Sequence, residues 1–314
     1  MLARKHRRPF GILGLSAAAG TALLAASACI PDVVPDQKTL PNCDQVKATC
    51  GNDGNEDCCA APSVNGGQFD RLNESKAHAT VAGFHLDKFE VSVSRFRQFF
   101  ESYPANKPAA GAGKHPLIDG SGWNAAWDAA LPKDQIALSA MLTCNANFLT
   151  WTEKASTNED LPITCVTWYA AFAFCAWDGG RLPTELEWNY AAAGGDEQRT
   201  YPWGDAAADE SHVILDCQTD GPSCIHRTGS KPLGNGKWGH ADLAGSMAEW
   251  TLDYHGELPS PCASCANLAD GGLGRELRGG DFSRSASAVH TWSRLGSIPE
   301  GVQDYQGIRC ARDR

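Results

Sequence analysis

The sequence predicts an α+β fold of an irregular kind, built from a few short helices and short strands. Three observations carry that reading. Val81, Gly83, His85 and Asp87 alternate with Ala82, Phe84, Leu86 and Lys88, the period of two that a strand requires. Shortly afterwards Val93, Phe96, Phe99, Phe100 and Tyr103 fall on one face of a helix, so the apolar period has lengthened to that of a helix. Beyond residue 195 the chain breaks into short, glycine-punctuated pieces rich in aromatic residues, a texture that suits irregular sheet and loops.

The elements follow in order. The first helix has Ser92 or Ser94 available as its cap. Residues 104–160 hold three tryptophans (Trp123, Trp127, Trp151) but no sustained period, and no element is assigned there. A second helix is predicted over 168–178, closed by Gly179 and Gly180. A third starts at Thr184, where Thr184-Glu-Leu-Glu187 has the form of a capping box, and stops at Gly194 and Gly195. No internal repeat is visible.

The N-terminal region predicts where the protein works. Arg4, Lys5, Arg7 and Arg8 precede an apolar, alanine-rich run over 10–28, which has the form of an export signal and is too short and glycine-broken for a membrane span. The run ends Ala26-Ser-Ala-Cys29, which resembles a bacterial lipobox. That resemblance implies lipidation of Cys29 and a lipoprotein anchored to a membrane of the cell envelope. Removing residues 1–28 moves the formal charge from −10 to −14, because four basic and no acidic residues leave. So acidic a chain, with no basic stripe, is not expected to bind nucleic acid. Residues 29–76, rich in Pro, Asn, Asp and Gly, are read as a tether with a Cys-rich segment at 43–59, and 77–314 as the globular domain.

Apart from Cys29 there are twelve cysteines, an even number that in an exported protein predicts up to six disulfides. Vicinal Cys58 and Cys59 are expected to reach different partners. The alternative is a zinc site that joins Cys262 and Cys265 to Cys217 and Cys224. No Gly-x-Ser-x-Gly elbow, phosphate-binding glycine loop or His-Glu-x-x-His motif occurs, and the histidines are scattered without ligand spacing.

Four segments point to a family: Gly180-Arg-Leu-Pro-Thr-Glu-Leu-Glu-Trp188, Asp242-Leu-Ala-Gly-Ser-Met-Ala-Glu-Trp250, Arg278-Gly-Gly-Asp-Phe282 and Gly307-Ile-Arg-Cys310. Together they resemble the formylglycine-generating enzyme (sulfatase-modifying factor) family, whose members oxidise a sulfatase cysteine to formylglycine on a fold similar to C-type lectins. The resemblance implies that fold for 77–314 and a disulfide between Cys175 and Cys310. It implies a structural calcium ion held by Asp242, the Gly245 and Met247 carbonyls, and Glu249. A second family disulfide would fall at Ala192 and Arg294, and both of its cysteines are absent here.

At the catalytic end the chain departs from the family. Arg284 and Val289 occupy the positions of the two copper-binding cysteines, Asp281 that of a serine and Ala248 that of a tryptophan. Soft thiolates suit Cu(I) and neither replacement supplies one, so copper-dependent formylglycine formation is not expected. Asp281, Arg284, His290, Trp292 and Arg294 are read as lining the cleft left behind, where arginines and an indole suit an anionic or glycan-like ligand. The competing reading is that they form salt bridges on a remodelled surface. Two functions follow: a ligand-binding or scaffold module that meets a glycan-like ligand or another envelope protein, or an oxygen-dependent oxidoreductase with a rearranged site, for example at Cys262 and Cys265.

Overall fold

The computed structural model describes residues 42–217 and 222–314. The predicted signal over 1–28, Cys29 and the start of the tether lie outside the described residues. No helix among the described residues is long and apolar enough to cross a membrane.

Among the described residues ten short strands form three small sheets. The first contains β1 (Ser63–Val64), β4 (Phe84–Leu86) and β10 (Ala311–Asp313), with β4 in the middle and both neighbours antiparallel to it. The second contains β2 (Gly67–Asp70), β3 (His78–Val81) and β6 (Cys262–Ala263); β2 and β3 are antiparallel, β3 and β6 parallel. The third runs in the order β8 (Arg294–Ser297), β7 (Arg275–Arg278), β5 (Ala248–Tyr254) and β9 (Gln306–Gly307). The predicted strand at 81–88 is thus two strands in different sheets, broken at Ala82 and Gly83. Phe84 and Leu86 point inward and His85 is only half-buried.

The expectation of a tether up to residue 76 is corrected. Ser63–Val64 and Gly67–Asp70 pair into the first two sheets, Val64 and Phe69 are buried, and Arg71 is a buried ion-pair partner of Glu185. The Cys-rich segment is stapled by Cys43–Cys59 and Cys50–Cys58, so the vicinal pair does reach separate partners. It is also fastened to the domain, since Gly51 N donates to Thr228 O and Lys88 N to Ala60 O. Composition alone hid this because two disulfides and borrowed pairing partners do the work a local core would otherwise do.

The α-helices of the described residues carry the core: α1 (Val93–Glu101), α2 (Gln135–Met141), α3 (Trp168–Trp177) and α4 (Glu185–Ala192). Ser92 caps α1, its hydroxyl accepting from Arg95 N, and Thr184 with Glu187 forms the predicted capping box on α4. Gly194 and Gly195 follow α4 with φ of 69° and 68°, the left-handed conformation in which glycine avoids the Cβ clash. The main core joins Val93, Phe96 and Phe99 of α1 to Trp168, Phe172 and Phe174 of α3 and to Trp250 and Leu277 of the third sheet. The unassigned stretch over 104–160 supplies α2, tucks Trp123 and Trp151 into this core, and is pinned by Cys144–Cys165.

Candidate functional site

The motif residues that mark the family are buried ion pairs. Arg181 grips Glu187 with two parallel hydrogen bonds of 2.7 Å, and its Nε reaches Asp313. Arg309 binds Glu249 through Nε and Nη2 and also donates to the carbonyls of Asp87, Lys88 and Ala241. Arg278 lies 3.5 Å from Glu185 and donates to the Thr291 carbonyl. Arg95 bridges Asp87 and Asp178, and Arg312 bridges the same two carboxylates. Burial raises the Asp87 carboxyl, but the two guanidiniums beside it hold it below the ordinary aspartate value. Fork-shaped guanidiniums match carboxylates in a dry interior, which is why these positions need arginine rather than lysine.

A cleft of about 310 Å³ lies at the junction of β5, β7 and β8, lined by Ala248, Leu277, Gly280, Asp281, Arg284, Ala288, Ser293, Arg294 and Leu295. Leu277 and Leu295 are direct partners in the β7–β8 register and so face the same side, a placement that sequence spacing alone does not reveal. Three of the five predicted cleft residues are there: Asp281, Arg284 and Arg294. Both arginines already hold a carboxylate. Arg294 lies bidentate on Glu276 at 2.7 and 3.1 Å, and Arg284 donates its Nε to Asp281 at 3.0 Å. Arg284 nonetheless remains 45% exposed, while Asp281 is buried and also accepts from Ser283. Val289, at the second cysteine position, is fully buried beside Tyr201, Val213 and Ala244.

His290 and Trp292 do not line this cleft, which corrects that part of the expectation. They end a ladder of rings instead: Trp292 to His290 4.5 Å, His290 to Tyr201 5.1 Å, Tyr201 to Trp203 4.8 Å and Trp203 to His212 5.1 Å. Partial burial lowers the His290 pKa.

All twelve cysteines of the described residues are paired: besides the bridges above, Cys175–Cys310, Cys217–Cys224 and Cys262–Cys265. The predicted Cys175–Cys310 bridge is present, tying α3 to the segment before β10. The alternative zinc site is not formed, because its four sulfurs make two separate disulfides.

The predicted calcium ligands fit in part. Asp242, Glu249 and Glu90 are buried together with Arg309 as nearby cation, so negative charge is in excess. Burial pushes the Asp242 carboxyl up to about 6 and the Glu90 carboxyl well above the usual range, with Asp242 and Glu249 adding to the effect on Glu90. Glu249 departs from its expected role. Its oxygens accept from Arg309 and from Trp188 Nε1 at 2.7 Å, which uses the lone pairs a metal would need. Asp242 and the Gly245 and Met247 carbonyls are what remain of the set. Among the described residues no group of three or more His, Cys, Asp or Glu side chains is arranged to hold a metal ion.

Comparison with known proteins agrees with this geometry. The model of the sulfatase-modifying factor enzyme 1-like domain matches residues 47–314. An inactive C-alpha-formylglycine-generating enzyme 2 from Bos taurus is 34% identical over 164 residues, 48% of this chain and 50% of that protein. The formylglycine-generating enzyme of Streptomyces coelicolor is 28% identical over 259 residues, 73% of this chain and 78% of that protein. The chain thus spans about half the length of the first of these relatives. The solved structure of PvdO from Pseudomonas aeruginosa shares the fold with a TM-score of 0.55 at 18% identity, over 80% of this chain and 93% of that one. With its buried arginine motifs in place and the family model matched over most of its length, the chain belongs to the sulfatase-modifying factor (formylglycine-generating enzyme) family.

Proposed function

We propose that this protein is an exported, lipid-anchored member of the family that lacks copper-dependent cysteine oxidation and serves as a ligand-binding or scaffold module in the cell envelope. The observation that carries the reading is the cleft beside Ala248. Where the family resemblance calls for two thiolates, the chain has Arg284 ion-paired to Asp281 and Val289 packed in the core. Neither side chain is a ligand for a soft metal. The cleft walls are mostly apolar (Ala248, Leu277, Ala288, Leu295), and the half-exposed Arg284 stands among them as a cationic fork. Such a lining suits a ligand with an apolar body and one anionic group, which a glycan-like acid or an acidic side chain of an envelope partner would provide.

The oxidoreductase alternative requires free thiols in the 262–265 loop, and the Cys262–Cys265 disulfide weighs against it. The deciding experiment supplies Cu(I), oxygen and a cysteine-bearing sulfatase peptide to the full-length protein and follows oxygen uptake and peptide mass. No turnover is expected; formylglycine in the peptide overturns the proposal. Calcium is proposed as a structural ion at Asp242 and the Gly245 and Met247 carbonyls, where it would offset the excess buried charge. Added Ca²⁺ should raise the melting temperature of chelator-treated protein, and an unchanged value removes it.

A further inference from the structure

We infer that Cys262 and Cys265 form a thiol–disulfide exchange site, whose substrate is a cysteine thiol carried on a polypeptide. The site lies away from the Ala248 cleft and stands on three independent observations. First, the bridge closes a Cys-Ala-Ser-Cys loop with a sequence separation of 3, the shortest of the six. Entropic stabilisation by a disulfide grows with loop length, so opening this one costs the fold least. Second, Cys262, itself only 6% exposed, lines an open groove of about 810 Å³ shared with Phe69, His78, Thr80 and Gln198, large enough for a peptide segment. Third, the other sulfur has a cation waiting beside it. Arg71 is buried and held by Glu185, and it points Nη1 at Cys265 Sγ across 3.9 Å.

The loop itself is anchored whether or not the bridge is closed. Cys262–Ala263 is a strand alongside β3, Ser264 N donates to Thr80 O, and Ala82 N donates to Ser264 Oγ. These contacts hold residues 262–264 against β3 independently of the bridge.

The geometry gives each sulfur a role. An incoming thiolate in the groove attacks Cys262 Sγ and forms a new S–S bond. The Cys262–Cys265 bond breaks and its electron pair stays on Cys265, as a thiolate beside the Arg71 guanidinium. A second thiol of the same partner then attacks the mixed disulfide and Cys262 leaves. The partner dithiol loses two electrons and two protons, which the two cysteines take up as thiols; run backwards, the same steps reduce a partner disulfide. A nearby cation favours the thiolate form and so makes Cys265 the better leaving group.

The test treats the full-length protein with a short uncharged cysteine peptide at neutral pH, quenches with an alkylating agent and maps the products by mass spectrometry. The expected first product carries the peptide on Cys262 and the alkyl group on Cys265, with the other five bridges intact. Opening of Cys217–Cys224 ahead of Cys262–Cys265, or peptide attached to Cys265, overturns the inference. Arg71→Met should slow the opening of Cys262–Cys265 by about tenfold or more relative to Cys217–Cys224 in the same molecule, while Arg71→Lys keeps most of the rate. Because the second bridge is an internal control, a general loosening of the fold would speed both. An unchanged ratio in Arg71→Met removes the role assigned to the guanidinium.

Discussion

The Cys175–Cys310 bridge offers the sharpest stability test, because the structure contains its own control. Both sulfurs are fully buried, and the bridge spans 135 residues, whereas Cys262–Cys265 spans 3. In the chain-entropy description a crosslink destabilises the unfolded ensemble by an amount that grows with the logarithm of the loop. For these separations that gives about 5 kcal/mol for the long bridge and about 1.6 kcal/mol for the short one. Replacing both cysteines by alanine in each case should therefore produce losses that differ by about 3 kcal/mol, more than a hundredfold in the folding equilibrium. Urea unfolding followed by tryptophan fluorescence measures both. The Cys175→Ala/Cys310→Ala variant should also show a steeper denaturant slope, since its unfolded chain exposes more surface. Equal losses in the two variants would refute the loop-length reasoning and place the value of the long bridge in its local packing.

Three further outcomes follow from buried charge and from the cleft. Arg309→Met leaves Glu249 without its guanidinium in a site closed to water, and should cost about 3–5 kcal/mol in urea unfolding. Adding Glu249→Met should recover much of that loss, and a double variant as unstable as the sum of the two singles counts against the pairing. Asp253 accepts backbone N–H groups from Glu185 and Asn267, yet burial, with Glu185 adding to it, pushes its carboxyl up to about 7. A folded pKa above the unfolded 3.8 contributes stability that is complete below that value and is lost as pH rises through about 7. The stability of wild type relative to Asp253→Asn should accordingly fall by up to about 1.4 kcal/mol per pH unit between pH 4 and 7, and parallel curves would count against it. Ala248→Trp should fill the cleft with an indole, leaving the fold standing and abolishing any ligand-induced rise in melting temperature, so retained binding would place the ligand elsewhere.

What the sequence determined by itself is what depends on near neighbours. The Ser92 cap and the Thr184–Glu187 box each span only three residues, and the helical period fixes them before any tertiary contact forms. The four motif segments, three of them arginine-bearing, pointed to the family because they are specific in combination. Nothing within them says that Arg309 meets Glu249 sixty positions away, or that Arg71 meets Glu185 across 114. Those closures depend on the tertiary arrangement of the elements, as does the choice among the many pairings open to twelve cysteines. The same holds for the cleft. Arg284 and Arg294 were legible as candidates, but the strand register brought Leu277 and Leu295 to face them, and the turn after Val289 sent His290 and Trp292 to the aromatic ladder instead. Residues 63–70 carried no signal of their own, because a two- to four-residue strand is stabilised by the strand it joins rather than by its own composition.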